Sequence, residues 1–326
     1  MRRRDFIRIV AGSAAWPLAA NAQPSNKPVI GFLSARSAKE SAHLVDAFRK
    51  GLAEHGIVEG QNVIIEFSWA DSNYERLPAQ ANGLLARQPA VLISVGGDMT
   101  AKAASAATKT TPIVAIFIGD PVTGDFVKSL SRPGGNITGV SNLNAVIEAK
   151  RIGLLRDVKP GMTTVGALLN SASFTAVAQR KDIEEAARTI GLKVEFLEAR
   201  NESELEAAFK TIVAKDIPAL LVPADAFFAA ARDRLAELAA QNRVPAIYSL
   251  RESVVSGGFM SYGNDLPDTY RLIGTYAARI VKGEKPADLP VLQPTKFEFV
   301  LNRKAAIALG LTIPAGVLSF VDEVIE

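Results

Sequence analysis

The sequence of 326 residues contains no cysteine and only two histidines. The absence of cysteine excludes disulfides, thiolate metal sites and cysteine nucleophiles. The two histidines, His43 and His55, fall far apart on one predicted helix, and their spacing suggests no third metal ligand. The motifs G-x-S-x-G and H-E-x-x-H are missing as well. We therefore expect no metal site, no cofactor and no catalytic residues.

An excess of charge of one sign is also missing from most of the chain. Lysine and arginine number 37 against 34 aspartates and glutamates, which gives a formal net charge of +3. Arg2, Arg3, Arg4, Asp5 and Arg8 account for this whole excess. The rest of the chain is neutral and lacks the basic surface of a nucleic-acid-binding protein. We expect no nucleic-acid partner.

The first residues have the pattern of an export signal. MRRRDFIRIVAGSAAWPLAANAQP combines a basic start, a modest apolar stretch at 6–20, and the small residues Ala20 and Ala22. This order predicts a signal peptide at 1–22, cleavage after Ala22 and a periplasmic protein. The stretch is shorter than the run of about 20 apolar residues that spans a bilayer. RRDFI at 3–7 resembles the twin-arginine export motif, and an ordinary secretory signal with an arginine-rich start is the alternative.

After Lys27, short apolar runs alternate with helical patterns, and this alternation occurs twice. The first half predicts strands at 28–33, 62–68, 90–95 and 112–118. The second half predicts strands at 164–169, 193–197, 219–222 and 245–249. Strands that are apolar throughout are typical of parallel sheets covered by helices on both faces. The predicted fold class is therefore α/β, with two doubly wound, Rossmann-like lobes.

Three connections between these lobes are predicted, and together they form a hinge. Lobe 1 is expected to comprise 27–140 and about 264–285, and lobe 2 to comprise 141–256 and about 297–326. The crossings are predicted near 136–143, 257–264 and 290–300, and the segment 297–302 is interpreted as part of the third. Ligands of open α/β sheets bind at the carboxyl ends of the strands. We therefore expect a binding cleft between the two lobes.

Several short stretches resemble a known family when they are taken together. They are RRRDFI at the start, IGFLS at 30–34, FRKGL at 48–52, GDPV at 119–122, LSRPGGNITG at 130–139, YG at 262–263, AAIALGLTIP at 305–314 and DEVI at 322–325. With them the chain resembles the periplasmic substrate-binding proteins of ABC importers, in the group that includes tryptophan- and phenylalanine-binding members. The resemblance implies the type I periplasmic-binding (Venus-flytrap) fold, no enzymatic activity, and a small-molecule ligand delivered to an inner-membrane ABC permease. We expect a monomer.

Candidate ligand contacts in the first half lie in the loops after strands. They are Ser34, Arg36, Ser37, Trp69, Gly97, Asp98, Thr100, Gly119 and Asp120. Hydroxyls and backbone N–H groups near a helix start suit a ligand carboxylate. Each candidate also has a structural interpretation: Ser37 and Asp98 can cap helices, Asp120 precedes a proline and favours a turn, and Trp69 can pack beneath its loop.

The candidates in the second half are Asn170, Ser171, Asp225, Tyr248 and Tyr262. Asp225 is the strongest, because a carboxylate at a strand end can accept a charge-assisted hydrogen bond from a ligand ammonium. Its alternative role is to cap the helix that follows. The two tyrosines can form walls of the cleft or pack in the core.

The sequence favours a solute-binding protein over two alternatives. An exported α/β hydrolase needs a nucleophile with a base within reach, and both histidines lie on a helix outside the strand-end loops. A sensor that presents its bound state to a membrane receptor is compatible with the same features. The ligand is expected to be an amino acid or a related small metabolite, because an acidic group in one lobe and N–H donors in the other suit both ends of an amino acid.

Overall fold

The computed structural model describes residues 27–141, 144–173 and 175–326. The predicted signal peptide and its cleavage after Ala22 lie outside the described residues. The described chain forms one sheet of five strands and another of seven, each covered by helices. The predicted α/β class with two parallel-sheet lobes is confirmed.

The first sheet has the order β2-β1-β3-β4-β5, and every neighbouring pair is parallel. Its strands are β1 Val29–Ser34, β2 Ile64–Trp69, β3 Val91–Val95, β4 Ile113–Phe117 and β5 Ile137–Ser141. The helices between them are α1 Ala38–Ala53, α2 Leu77–Leu85 and α3 Asp98–Ala107, with a 3-10 turn at Tyr74–Arg76. Strands β3, β4 and β5 are buried at every residue, as expected for a sheet covered on both faces.

The second sheet has the order β12-β11-β10-β9-β8-β6-β7, and only its β10–β11 pair is antiparallel among the described pairs. Its strands are β6 Thr164–Leu169, β7 Lys193–Glu198, β8 Leu220–Val222, β9 Ala246–Tyr248, β10 Met260–Asn264, β11 Phe297–Asn302 and β12 Glu323–Ile325. The accompanying helices are α4 Asn144–Val158, α5 Ala176–Thr189, α6 Glu202–Ala214, α7 Ala226–Ala230, α8 Arg232–Gln241 and α9 Arg251–Val255. None of the described helices has the length and apolar character needed to cross a membrane.

The remaining elements are α10 Leu266–Val281, a 3-10 turn at Pro286–Asp288, α11 Arg303–Ala308 and α12 Ala315–Leu318. Helix α10 follows a strand of the second sheet, yet it packs against α1 of the first lobe. Two glycines allow this close approach. A Cβ on Gly51 would collide with the carbonyl oxygen of Arg271, and one on Gly274 would collide with that of Phe48. The first lobe therefore contains a late segment of the chain, which fixes the lobes to each other by more than one connection.

Two predicted crossings are strands instead. Residues 260–264 form β10 and residues 297–302 form β11, and these two strands pair with each other in the second sheet. Gly263 in β10 allows a close backbone approach, since a Cβ there would collide with the carbonyl oxygen of Ser249. The chain in fact returns to the first lobe between β10 and α10. It leaves again between Leu292, which bridges Val140 of β5, and the start of β11.

Candidate functional site

The two lobes contact each other across the cleft through polar side chains. The Tyr74 hydroxyl donates to Asp225 Oδ2 at 3.2 Å, and Arg232 Nη1 donates to Glu40 Oε1 at 2.7 Å. Burial, and then the neighbouring Asp225, raise the pKa of Tyr74, so its hydroxyl keeps the proton that it donates. Tyr74 and Glu40 belong to the first lobe, and their partners belong to the second. These contacts require the lobes to be close together, and the structure is therefore a closed arrangement.

A second cluster on the same boundary joins α1 and its preceding loop to α9. Glu252 Oε1 lies 3.7 Å from Arg36 Nη2 and 3.4 Å from His43 Nε2. The Arg36 side chain is 6% exposed, whereas that of His43 is 50% exposed. Arg36 is thus a buried cation whose nearest carboxylate is beyond hydrogen-bonding distance.

A cavity of about 60 Å³ remains between the lobes at the carboxyl ends of the strands. Its apolar wall includes Ile116, Ile118, Ala226, Ala229, Leu250 and Leu266. Arg36 and Asp225 are the charged residues among the described residues that line it, and Tyr270 also lines it. The chemistry of an apolar wall with two opposite charges suits a small zwitterion that also carries an apolar group. The volume is well below the roughly 300–1,000 Å³ of ordinary ligand pockets, so the lobes must separate slightly to admit a whole amino acid. We call this space the Arg36 cavity.

Asp225 both lines the Arg36 cavity and caps helix α7. Its Oδ1 accepts hydrogen bonds from the backbone N–H groups of Phe227 at 2.8 Å and Phe228 at 3.3 Å, and from Asn170 Nδ2 at 3.0 Å. Its Oδ2 accepts the Tyr74 hydroxyl. Burial raises the pKa of Asp225 even though these donors favour the carboxylate. The capping interpretation of the sequence therefore describes this residue, and a ligand contact remains geometrically open to it.

Arg36 and Gly97 are the other sequence candidates at the Arg36 cavity. Arg36 is 5% exposed, and its Nε has no hydrogen-bond partner. Gly97 has φ +113, and a Cβ on it would lie 2.8 Å from Ile118 Cδ1. Arg36 thus has an unused donor beside the cavity, and the position of Gly97 leaves no space for a side chain. Their role as ligand contacts stays a prediction.

The other candidates of the first lobe satisfy its own backbone. Ser34 Oγ accepts from Arg36 N, Ser37 caps α1 by accepting from Glu40 N, and Thr100 donates to Val95 O. Each hydroxyl is used within its own loop because strand ends and helix starts leave backbone groups unpaired. None of the three side chains lines the Arg36 cavity, and the structural interpretation of Ser37 is the one observed.

Asp98 holds a neighbouring loop in place. Its two oxygens accept from Ile118 N at 3.1 Å and Gly119 N at 2.8 Å. Burial raises the pKa of Asp98 to about 6, against the effect of these two bonds. The backbone N–H of Gly119 therefore donates to Asp98. The exposed Asp120 accepts a hydrogen bond from Val122 N, as is typical of a turn residue. Asp98 and Asp120 therefore shape the loops and do not point to the Arg36 cavity.

The aromatic candidates pack in the cores of the lobes. Trp69 stacks on Phe67 with ring centroids 5.6 Å apart, and Tyr262 stacks on Phe297 at 6.0 Å. Tyr248 is 1% exposed in the core of the second lobe, where burial raises its pKa. Of the two interpretations that the sequence left open for each ring, the structure shows the packing, which buries apolar area against the sheet. A ligand contact by Trp69, Tyr248 or Tyr262 stays a prediction.

Asn170 and Ser171 differ although they are adjacent. Asn170 is buried and orients Asp225, whereas Ser171 is exposed and lies outside the Arg36 cavity. The sequence reasoning missed Tyr74, Tyr270, Leu250 and Leu266. Leu266 follows β10. If 260–264 had been predicted as a strand, the search of loops after strands would have included Leu266. Tyr270 carries no such signal, because its place on the cleft depends on how α10 packs.

The matching family model is described as ABC transporter substrate binding protein, and it covers residues 29–325. The chain belongs to this family. A relative named tyrosine-binding protein, from Clostridioides difficile, is 26% identical over 264 residues, which are 81% of this chain and 75% of that protein. The family and the fold expected from the sequence motifs are confirmed.

Two solved structures have similar sequence identity to the chain but different TM-scores. An ABC domain from Streptococcus pneumonia in complex with L-Trp is 27% identical, with TM-score 0.84, over 92% of this chain and 100% of that one. The ligand-free, open structure of a substrate-binding protein with adhesive properties from Clostridium difficile is 25% identical, with TM-score 0.67, over 91% and 99%. The coverage is nearly equal, and the higher score of the complex agrees with the closed arrangement of the lobes here.

Proposed function

We propose that this protein captures an L-α-amino acid with an apolar or aromatic side chain in the Arg36 cavity, and delivers it to an ABC permease. The observation that carries the proposal is a buried guanidinium without a hydrogen bond at Nε, which lies with a partly buried carboxylate on the wall of an apolar cavity between the lobes. An amino acid presents the complementary set of groups: a carboxylate, an ammonium and a side chain.

The ligand carboxylate is assigned to Arg36. Its Nε has no partner and its Nη2 is 3.7 Å from Glu252. A buried donor without an acceptor costs free energy, which a ligand carboxylate would recover through a charge-assisted hydrogen bond. Because Gly97 has no side chain, the ligand can also approach the backbone at the end of β3.

The ligand ammonium is assigned to Asp225. Oδ1 of this residue already accepts three hydrogen bonds, whereas Oδ2 accepts one, from Tyr74. The two lone pairs of Oδ2 leave it able to accept a second donor. An ammonium can therefore join Tyr74 at Oδ2 without breaking the cap of α7.

The apolar part of the ligand would lie against Ile116, Ile118 and Leu250. Relatives that are named for tyrosine or solved with L-Trp support an aromatic side chain. A ligand that contacts Arg36 of one lobe and Asp225 of the other is held fully only when the cleft is closed. Its binding therefore favours the closed state, the form that a permease can distinguish from the empty one.

The decisive experiment is calorimetric titration of residues 23–326 with L-tryptophan, L-tyrosine, L-phenylalanine and L-leucine. Tryptamine, which lacks the carboxylate, and indole-3-propionate, which lacks the ammonium, are the matched controls. We expect saturable binding of at least one amino acid, and a loss of about tenfold or more for each control, as a charge-assisted hydrogen bond predicts. Equal binding of the acid, the amine and the amino acid would reject the assignment, as would no binding at all.

Delivery is tested in cells. Export to the periplasm is supported by the predicted signal at 1–22, and a permease partner is supported by the family. A strain without this chain should lose uptake of the labelled amino acid and regain it with the full-length protein. Unchanged uptake in the deletion strain, together with binding in vitro, would favour the sensor alternative.

A further inference from the structure

A second cavity lies between the lobes, and Ile118 lines both this cavity and the Arg36 cavity. Its volume is about 370 Å³. The first lobe contributes the loop of Gly119, Asp120 and Thr123, and the second lobe contributes α4 and α5. At the border of the two lobes, Thr175 comes within 3.8 Å of where a Cβ on Gly119 would lie. We call this space the Glu148 cavity.

The charged side chains around the Glu148 cavity are mainly acidic. Asp120, Glu148 and Asp182 face Lys181, the one cation among the described residues that line it. Burial raises the pKa of Asp182, and Asp120 across the cleft raises it further, although Lys181 opposes both. Closing the lobes thus brings carboxylates together without enough positive charge to balance them.

Glu148 is the most unusual of these groups. It is 1% exposed, and its Oε1 accepts from Arg151 Nη1 at 2.8 Å. Its Oε2 has no hydrogen-bond partner among the residues that the structure describes. Burial raises the pKa of Glu148 in spite of Arg151, and Asp182 adds to the shift. Buried carboxylate oxygens normally have a donor, and an unpaired one in a cavity wall is a ready acceptor for a ligand.

We propose that the Glu148 cavity binds a small organic cation, whose primary ammonium group donates to Glu148 Oε2 and lies between Asp120 and Asp182. An organic ammonium fits better than a metal ion. Among the described residues no group of three acidic or histidine side chains is placed to hold a metal. The wall also offers hydroxyl, amide and hydrocarbon groups, from Thr123, Gln179 and Ala178. The site is separate from the Arg36 cavity, and it does not depend on which amino acid binds there.

The test is calorimetric titration of residues 23–326 with putrescine, a linear diamine. Its neutral counterpart 1,4-butanediol and potassium chloride are the controls. We expect saturable binding of putrescine with a stoichiometry of one, and none of the diol or the salt. Absence of saturable putrescine binding would overturn the proposal.

Variants locate the site. Asp182→Asn and Asp120→Asn keep the side-chain volume, and each should weaken putrescine binding by about tenfold, the value of one charge-assisted hydrogen bond. Glu148→Gln should weaken it at least as much. Glu148→Gln also removes the charged partner of the buried Arg151, so the folding of this variant is checked by thermal unfolding. If it does not fold, the Asp182→Asn and Asp120→Asn variants alone test the site. Glu184→Gln is the control variant. It removes an exposed charge from α5, the helix of Asp182, at a position outside the cavity, and it should leave putrescine affinity unchanged.

Unchanged putrescine affinity in both asparagine variants would overturn the site. L-Tryptophan and L-tyrosine are titrated in parallel with the wild-type chain. Loss of amino-acid binding with intact putrescine binding would reject the proposed function alone. Intact amino-acid binding without putrescine binding would reject the Glu148 cavity alone.

Discussion

Asp98 and Asp225 occupy corresponding places in the two lobes and have different partners. Each carboxylate follows a strand with parallel neighbours and accepts two backbone N–H bonds at a loop or helix start; Asp98 is buried and Asp225 is partly buried. Both oxygens of Asp98 accept hydrogen bonds from the first lobe. Asp225 keeps Oδ2 for Tyr74 of the other lobe and lines the Arg36 cavity. Burial and position at a strand end are thus shared by a structural and a candidate ligand residue, and only the contacts across the cleft separate them.

Replacement of Asp225 should have the largest effect. Asp225→Ala removes the cap of α7, the partner of Asn170 and the acceptor of Tyr74. We expect a fall of about 3 kcal/mol in the free energy of unfolding, from one lost cap and buried donors left unpaired. Amino-acid affinity should fall about a hundredfold, measured by calorimetry below the unfolding temperature.

The same measurements on Asp98→Ala sharpen the contrast. This variant should lose stability comparably, since Ile118 N and Gly119 N lose their acceptor, but its affinity should fall at least tenfold less than that of Asp225→Ala. Equal losses of affinity in the two variants would remove the distinction between the two carboxylates.

Arg36 should differ from Asp98 in having a larger effect on binding than on stability. Arg36→Gln removes a guanidinium whose Nε has no hydrogen-bond partner and which lies 3.7 Å from Glu252. We expect amino-acid affinity to fall by about 10- to 100-fold, the range for hydrogen bonds to charged groups. The unfolding temperature should fall less than in Asp98→Ala, because Glu252 loses one cationic neighbour and keeps His43. Arg49→Gln, on the outer face of α1, is the matched control. An affinity for Arg36→Gln within twofold of the control would exclude a ligand contact by Arg36.

A third test uses the pKa of Asp98, which burial raises from 3.8 to about 6. Between these values the folded chain holds a proton that the unfolded chain has released. Stability should therefore fall as the pH rises from about 4 to about 6, by roughly 2 kcal/mol. Asp98→Asn should lack this part of the slope in urea unfolding series at both pH values. A wild-type slope identical to that of the variant would contradict the raised pKa.

The sequence predicted the two sheets well because their apolar strands and helix caps are local signals. The pattern failed at 260–264 and 297–302, where Gly263 indicates a close approach that only the assembled sheet reveals. Asp225 was identified because it directly follows a strand. Tyr74 and Tyr270 were missed because they reach the cleft through the packing of distant segments: the 3-10 turn after β2 and helix α10. Glu148 was missed because it lies on a helix and not after a strand, and the cavity that it lines is formed by both lobes.

The smallest expected effect tests whether the contact across the cleft matters at all. Tyr74→Phe removes only the hydroxyl that joins the lobes at Asp225 Oδ2 and leaves the ring in place. One neutral-to-charged hydrogen bond supports a loss of about fivefold in amino-acid affinity, or about 1 kcal/mol. The loss should be seen as faster ligand release in stopped-flow measurements, because the bond forms only in the closed state. Unfolding of the variant should be nearly that of the wild type, since the cap of α7 is kept through Oδ1. Unchanged ligand release would mean that Tyr74 does not help to hold the cleft shut. Asp225 would then resemble Asp98 in supporting only the structure of its own lobe.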